Sequence, residues 1–388
     1  MDIGKRGDVF RLSVGVAVKN WAIIVGINEY PQSANQNPLR GAVADAVDFA
    51  DWALHPDGGN VDPDNLFLWT YPPPAPGTCS ERVEQYNQNP SAWSNGFDQI
   101  QPSGDRAPFV EEIFRTAWTA ARGAASELRE DGTEGRCFVF LAGHGVQGKA
   151  RFDIVPQTCF LAGDFQEDGP VNGLVPSEDL RVGLLSCGFA QVFMFLDCCR
   201  LNLVRFNSVV RNLNFPSDPY PDTAIWGAGF AAERNSVAWE TPAGNPSRGA
   251  FSKILLEGLR RVRDPATGIL SVRALEDYVA NRIQAMVRPN EQYPYFVGDP
   301  SPSRLVIVNA PPIPLGDEDI VVDFGAIPPG TNVYLKDAKG QMLATLSARA
   351  GGERVAAQLG RLYSLETQGG AVEHGFQHTG PGVTHVQL

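Results

Sequence analysis

Between residues 20 and 310, short apolar runs alternate along the chain with stretches of helical periodicity. The runs Phe138–Ala142 and Val192–Leu196 contain apolar residues only. Because these runs show no alternation, both faces of each strand should be covered, which is typical of central strands in a parallel sheet. The expected strands are Trp21–Ile27, Leu66–Thr70, Cys137–Leu141, Val192–Leu196, Ala224–Phe230 and Leu305–Val308.

The stretches between these strands have the spacing of amphipathic helices. Apolar residues recur every three or four positions in each of them. Repeated strand–helix alternation predicts an α/β/α sandwich with right-handed crossovers and a mostly parallel six-stranded sheet. The expected helices cover Leu39–Leu54, Val110–Leu128, a short stretch from Pro176, Phe251–Val262 and Ser271–Met286.

A proline-rich linker, Asn309–Pro314, marks a change of pattern. Beyond it, short strands separated by glycine-containing turns predict a small β-sandwich-like domain. We therefore expect an N-terminal extension at 1–19, a main domain at 20–310 and a small all-β accessory domain at 315–388. The expected strands of the last domain are Asp319–Phe324, Thr331–Lys336, Gln341–Ser347, Glu353–Ala357 and Leu362–Thr367.

Composition narrows the classes of function. The net charge of -12 disfavours binding to nucleic-acid phosphates. No run reaches the ~18 apolar residues that a membrane-spanning helix needs. The first 20 residues lack the apolar run of a signal peptide, and six cysteines in 388 residues are too few for a disulfide scaffold. We expect a cytoplasmic protein without a membrane or nucleic-acid partner.

Two polar sites follow buried strands. His144 stands between Gly143 and Gly145, just after the strand Cys137–Leu141. Cys198 and Cys199 follow the strand Val192–Leu196. Carboxyl ends of parallel strands meet at one edge of a sheet, where open α/β sheets bind ligands. A histidine beside a cysteine suits nucleophilic catalysis by a thiolate, although strand phase does not decide between the two cysteines.

The motifs around these residues resemble those of the caspase–metacaspase–paracaspase clan of cysteine peptidases, and bacterial members most of all. The resemblance covers residues 20–308 and implies a caspase-like fold. Its motifs, in order, are Trp21–Asn28, Leu39–Ala46, Leu141–Gly145, Leu196–Arg200 and Arg248–Ser252 leading into Leu255–Leu259.

The resemblance also implies roles for individual residues. The clan's Asp-x-Cys pattern selects Cys199 as the nucleophile, and His144 would be the general base. The backbone N–H groups of Gly145 and Cys199 would form the oxyanion hole. By similarity to metacaspases and paracaspases, Asp45, Asp197 and Glu240 would bind a basic substrate side chain.

These acids predict cleavage after arginine first and lysine second, because arginine pairs with carboxylates through two hydrogen bonds. Asp48 and Asp51 are expected on the solvent-exposed face of the first helix. Arg40 could instead imitate the basic pocket of caspases, which keeps cleavage after aspartate as an alternative. No cofactor or metal is predicted, because the acidic stretches lack EF-hand spacing.

The long loop Arg200–Asp222 predicts maturation by cleavage after Arg205 or Arg211, either by the enzyme itself or by an upstream protease. By analogy alone, such a bacterial protein would act in antiviral defence or cell death.

The alternative to a peptidase, from a different functional class, is a non-catalytic interaction scaffold with a caspase fold. A serine hydrolase of the α/β type is disfavoured because no Gly-x-Ser-x-Gly motif is present.

Overall fold

The computed structural model shows two compact units, Met1–Pro311 and Pro312–Leu388. It describes residues 18–33, 36–75, 78–88, 107–115, 118, 133–150, 157–166, 173–202, 209–210, 223–241, 247–264, 266–287, 289–313, 320–325, 327–338, 340, 342–349, 352–355, 362–370, 373–378 and 384–388. Residues 1–17 of the expected N-terminal extension lie outside this set. The first strand begins at Val18, within the range expected for that extension.

The first unit alternates strands and helices. Its helices are α1 (Ala42–Leu54), α2 (Glu81–Gln88), α3 (Ser177–Cys187), α4 (Ala250–Arg261) and α5 (Val272–Val287). Its strands are β1 (Val18–Ile27), β2 (Leu66–Tyr71), β3 (Glu134–Ala142), β4 (Gly145–Ala150), β5 (Gln157–Leu161), β6 (Leu174–Pro176), β7 (Gln191–Asp197), β8 (Leu201–Asn202), β9 (Val209–Val210), β10 (Ile225–Phe230), β11 (Ile269–Ser271), β12 (Tyr295–Asp299) and β13 (Val306–Asn309).

Six of these strands form the central sheet in the order β12-β10-β7-β3-β1-β2. In this sheet, strands β2, β1, β3, β7 and β10 are parallel to one another, and only β12 is antiparallel to its neighbour β10. The expected α/β fold with a mostly parallel six-stranded sheet is thus confirmed. A smaller sheet, β6-β5-β4-β8, follows His144 along the chain and was not expected from the sequence.

The sixth strand of the central sheet differs from the expectation. Residues Leu305–Val308 were expected to supply it, but β13 instead pairs with the short β11 in a separate two-stranded sheet. The sixth strand is β12, whose proline-flanked and tyrosine-containing sequence is only weakly apolar. An antiparallel edge strand needs no continuous apolar run, and this is why the pattern did not reveal it.

Helix α1 explains the apolar run of β3 on one face of the sheet. Phe49 stacks on Phe140 with ring centroids 4.5 Å apart, and Trp52 packs edge-on against Phe138. On the other face Val139 and Leu141 join a second buried cluster with residues of α3. Both faces of the central strands are therefore covered. Of the expected second helix, residues 110–115 and 118 are helical and the remainder lies outside the described residues.

The second unit contains two small sheets. Its strands are β14 (Ile320–Asp323), β15 (Asn332–Asp337), β16 (Met342–Ser347), β17 (Glu353–Val355), β18 (Leu362–Thr367), β19 (Glu373–Gln377) and β20 (Thr384–Gln387), of which the last two were not expected. Three of these strands form the sheet β17-β14-β20, and four form the antiparallel sheet β16-β15-β18-β19. Residues such as Val322, Leu335 and Leu365 fill the separate core of this unit.

None of the helices in the described part of the chain combines the length and hydropathy required to cross a membrane.

Candidate active site

His144 is fixed through its main chain immediately after strand β3. Its N–H donates a hydrogen bond to Tyr30 Oη over 2.9 Å, and its carbonyl accepts one from the N–H of Leu161. The preceding Gly143 leaves no room for a side chain, since a Cβ there would lie 2.5 Å from Tyr30 Oη. These contacts set the position from which the imidazole projects.

The orientation of the imidazole is fixed by a backbone carbonyl. Nε2 of His144 lies 2.7 Å from the carbonyl oxygen of Asn37. A carbonyl only accepts hydrogen bonds, so Nε2 carries the proton and Nδ1 of the neutral ring keeps its lone pair. Burial lowers the pKa of His144, against the opposing effects of the Asn37 carbonyl and of Glu240. The ring therefore favours its neutral, basic form.

Cys199 lies just after the neighbouring strand β7, at the position that corresponds to His144 after β3. In the parallel register of β3 and β7, Ala142 is paired with Asp197, and His144 and Cys199 each follow two residues later. The half-buried thiol of Cys199 donates to the carbonyl oxygen of Ala238, at an Sγ–O distance of 3.8 Å. Burial raises the pKa of Cys199, so the resting group is a thiol.

The two adjacent cysteines have different surroundings. Cys198 is 2% exposed, and its Sγ would lie 2.5 Å from a Cβ placed on Gly145. The same Cβ would be 2.8 Å from the carbonyl oxygen of Cys199. Gly145 is therefore required for the close approach of the histidine and cysteine segments. Cys198 packs beneath it in the core, whereas Cys199 is the more accessible thiol.

Asp45 and Asp197, two of the expected pocket acids, meet across Gly249. A Cβ on Gly249 would lie 2.1 Å from Asp197 Oδ2 and 2.9 Å from Asp45 Oδ2. Asp197 Oδ2 accepts hydrogen bonds from the N–H and the hydroxyl of Ser252. Burial raises the pKa of Asp45 to about 7 and that of Asp197 to about 6, and each carboxylate has a like-charged neighbour that raises it further.

Glu240, the third expected pocket acid, borders the same group. Its Oε1 accepts hydrogen bonds from the backbone N–H groups of Arg40 and Gly41, over 2.7 Å and 2.6 Å. Within the described residues Oε2 has no hydrogen-bond partner. The charge of Glu240 raises the pKa of both Asp197 and His144, which indicates that this carboxylate lies near both groups.

Asp45 is already held by an arginine of the chain itself. Arg248 Nε bonds Asp45 Oδ1, and its Nη2 reaches Asp48 Oδ2 at 2.7 Å. The other oxygen of Asp45 accepts the N–H of Gly249 over 2.7 Å. Both oxygens of this carboxylate are therefore engaged within the protein, which leaves Asp197 and Glu240 as the less committed acids.

The expectation that Asp48 and Asp51 lie on a solvent-exposed helix face is wrong. Their side chains are 29% and 21% exposed and pair with arginines of neighbouring helices. Arg260 of α4 bonds Asp48, and Arg82 of α2 bonds Asp51 over 2.9 Å. Helical periodicity placed these acids on the face opposite the sheet, and that face of α1 is covered by α2 and α4.

The Arg40 side chain lines a cleft of about 530 Å³ between α1 and the loop after β2. The lining of this cleft includes Val47, Asp48 and Arg248 but none of Asp45, Asp197 or Glu240. Within the described part of the chain, the Arg40 guanidinium forms no ion pair with these three acids.

Several residues of the site carried no recognisable signal in the sequence. Asn37 acts through its backbone carbonyl, so its side chain gives no indication of its role. Tyr30 lies in a loop two residues after the motif Trp21–Asn28, and Gln292 lies in a loop distant from the motifs. Arg248 and Ser252 lie within the motif Arg248–Ser252, but the resemblance assigns them no role. The expected processing sites, Arg205 and Arg211, lie outside the described residues. Among the described residues, no group of three metal-ligating side chains is assembled.

Comparisons with known proteins give one informative relative. No protein-family model matches the chain. A probable protease from a Desulfuromonadales bacterium is 28% identical over 247 residues, covering 63% of this chain but only 26% of that protein. The chain therefore matches about a quarter of its relative.

Solved structures resemble the chain more weakly. Protein GSU0716 of Geobacter sulfurreducens aligns over 76% of this chain and 99% of its own length, with 15% identity and a TM-score of 0.42. A structure described as a protease covers 66% of this chain and 56% of its own, with 12% identity and a TM-score of 0.19. At such scores the structural likeness carries no argument, and the sequence similarity to a bacterial probable protease is what the comparisons establish.

Proposed function

We propose that this chain is a cysteine endopeptidase that cleaves peptide bonds after arginine and, less readily, lysine. Cys199 is the nucleophile and His144 the general base. The observation that carries the proposal is the shared register of β3 and β7, which starts both segments at one edge of the sheet. Similarity to a probable protease supports peptide hydrolysis in general.

The chemistry begins from a neutral pair. When a substrate enters, the Cys199 thiol leaves the Ala238 carbonyl and transfers its proton to Nδ1 of His144 as Sγ attacks the scissile carbonyl carbon. The imidazolium then gives that proton to the leaving amine, and a thioester remains on Cys199. Water, deprotonated by the same imidazole, hydrolyses the thioester and restores the thiol.

The Asn37 carbonyl has a defined part in this cycle. It accepts the Nε2 proton throughout and so keeps Nδ1 as the atom that receives the thiol proton. It also stabilises the positive ring that forms after proton transfer, as its upward effect on the His144 pKa indicates. The N–H groups of Gly145 and Cys199 are the proposed oxyanion donors, each typically worth ~3 kcal/mol to the transition state.

The preference for a basic substrate rests on the acids around Gly249. Oδ2 of Asp197 is held by Ser252, and Glu240 is held through Oε1, so both carboxylates are oriented before a substrate arrives. An arginine side chain is planar and donates two parallel hydrogen bonds to a carboxylate, so it suits such a pair better than lysine does.

A peptidase assay tests the proposal directly. Fluorogenic peptides ending in Arg, Lys or Asp are offered to the wild type, Cys199→Ala and Cys198→Ala. We expect release after Arg exceeding release after Lys, a loss of about a thousandfold or more in Cys199→Ala, and retained turnover in Cys198→Ala. Cleavage after Asp alone would overturn the specificity. A folded wild type that cleaves none of the peptides would favour the scaffold function.

A further inference from the structure

Residues Ala238–Glu240 connect the two halves of the candidate site. Ala238 accepts the Cys199 thiol, and Glu240 supplies the carboxylate beside the acid pair. Between them, the carbonyl of Trp239 accepts the N–H of Ala250 at the start of α4. Among the described residues, the segment pairs with other backbone only through an isolated bridge between Glu240 and Gly249. Side-chain contacts therefore contribute to its position.

Gln292 supplies these contacts from the loop between α5 and β12. Its side chain is fully buried at 0% exposure. Oε1 accepts the backbone N–H of Trp239 over 2.9 Å, and Nε2 donates to the carbonyl oxygen of Ala231 over 3.0 Å. One amide thus joins Ala231, at the beginning of the loop that follows β10, to Trp239 farther along the same loop.

The surroundings of Gln292 reinforce this connection. Its own carbonyl accepts a hydrogen bond from Gln284 of α5. The neighbouring carbonyl of Glu291 accepts the indole N–H of Trp239 over 3.1 Å. The residue is therefore anchored to a helix on one side and holds the Trp239 main chain and ring on the other. An amide is needed here, because only it offers both an acceptor and a donor at this spacing.

We propose that Gln292 is a positioning residue for substrate binding. Its amide holds Ala238–Glu240 in the extended form that presents the Ala238 carbonyl and the Glu240 carboxylate to a bound peptide. The inference rests on the proposed peptidase function, and it adds a specificity-supporting residue outside the reacting groups. It predicts that loss of the amide weakens peptide binding while Cys199 and His144 remain in place.

A pair of matched variants separates this role from ordinary stability. Gln292→Met keeps the length and volume of the side chain but removes both hydrogen bonds. Gln191→Met makes the same change at another buried glutamine, 5% exposed, whose Oε1 accepts Arg136 Nε over 2.9 Å near the amino end of β7. Both variants should lose stability, but only the first lies behind the substrate-binding segment.

Two measurements are made on the full chain. Hydrogen exchange of the Trp239 amide should be at least about tenfold faster in Gln292→Met and unchanged in Gln191→Met. With an arginine peptide, kcat/KM should fall about tenfold to a hundredfold in Gln292→Met, mainly through KM, and stay unchanged in Gln191→Met. If Gln292→Met does not fold, Gln292→Asn, which is too short to reach both partners, takes its place.

The outcomes distinguish this inference from the proposed function. Unchanged exchange at Trp239 would overturn the clamp whatever the activity. Faster exchange with an unchanged KM would overturn the positioning role alone. A wild type that cleaves no basic peptide would refute the peptidase proposal, and with it the role in substrate binding, while the exchange data would still decide whether Gln292 holds the segment.

Discussion

Two carboxyl groups of the acid pocket hold their protons more tightly than free aspartates do. Burial is the main cause, and it raises the pKa of Asp45 to about 7 and that of Asp197 to about 6. Because the folded chain then binds these protons more strongly than the unfolded chain, the stability they contribute is greatest below about pH 4 and is lost as pH rises through 6 to 7. A basic substrate, as proposed, would neutralise the negative charge that burial makes unfavourable at these two carboxyl groups.

This titration predicts a pH-dependent KM. As pH falls from 8 to 5, the pocket acids take up protons, so the KM for an arginine peptide should rise. Asp197→Asn should raise KM at pH 8 and flatten its dependence near pH 6. Steady-state kinetics across this range measure both effects, and the lowered pKa of His144 keeps the base neutral over much of it. A KM that does not change with pH would exclude these carboxyl groups from substrate binding.

Helix α1 is tied to its neighbours by a ladder of acids on its outer face. Asp45, Asp48 and Asp51 follow at intervals of three residues, which places them along one side of the helix. Arg248 and Arg260 bind them from the segment leading into α4 and from α4 itself. Burial alone would raise the pKa of Asp48, but Arg260 and Arg248 lower it to about 2. The ladder thus connects the pocket acid Asp45 to the packing of two helices.

Removing one arginine that binds these acids should lower the free energy of unfolding, because it leaves a half-buried carboxylate without its partner. Arg260→Ala deletes the bonds to Asp48 and to Asp51, so we expect a loss of about 2–3 kcal/mol in the free energy of unfolding. Urea denaturation measures it. The control, Arg273→Ala, removes the surface ion pairs of an exposed arginine with Glu276 and Asp277 on α5 and should change stability by less than about 0.5 kcal/mol. Equal effects would show that the ladder is no stronger than a surface pair.

The sequence predicted elements with strong patterns and missed those held by tertiary contacts. Strands β3 and β7 contain the continuously apolar runs Phe138–Ala142 and Val192–Leu196. Both strands were predicted because two covered faces favour that pattern. Strand β12 was not predicted, because an edge strand can form with few apolar residues. Within the site, His144 and the neighbours Cys198 and Cys199 could be proposed from their positions after buried strands, whereas the choice of Cys199 depended on the resemblance to the caspase clan. Asn37 and Gln292 could not, because a backbone carbonyl and a buried amide leave no periodic signal.

At the scale of the whole molecule, the connection between β7 and β10 runs through Arg205 and Arg211. The two strands that it joins are parallel neighbours in the central sheet, paired from Gln191 with Ile225 to Leu196 with Phe230. A cut in the connection would therefore separate the chain into two fragments that the sheet still holds together. Such a cut would free the segment that follows Cys199 without removing any strand from the sheet.

We therefore expect the wild type to mature by cleavage after Arg205 or Arg211. Intact mass measured during incubation should show two fragments whose masses sum to the full chain plus one water, and the fragments should elute together in gel filtration. Cys199→Ala should remain uncut if the enzyme cleaves itself and should be cut by added wild type. A double variant, Arg205→Ala with Arg211→Ala, should stay intact and show lower peptidase activity. If that intact double variant is as active as the cleaved wild type, cleavage is not the step that activates the enzyme, and the uncut chain would already hold the two proposed reacting side chains in their working positions.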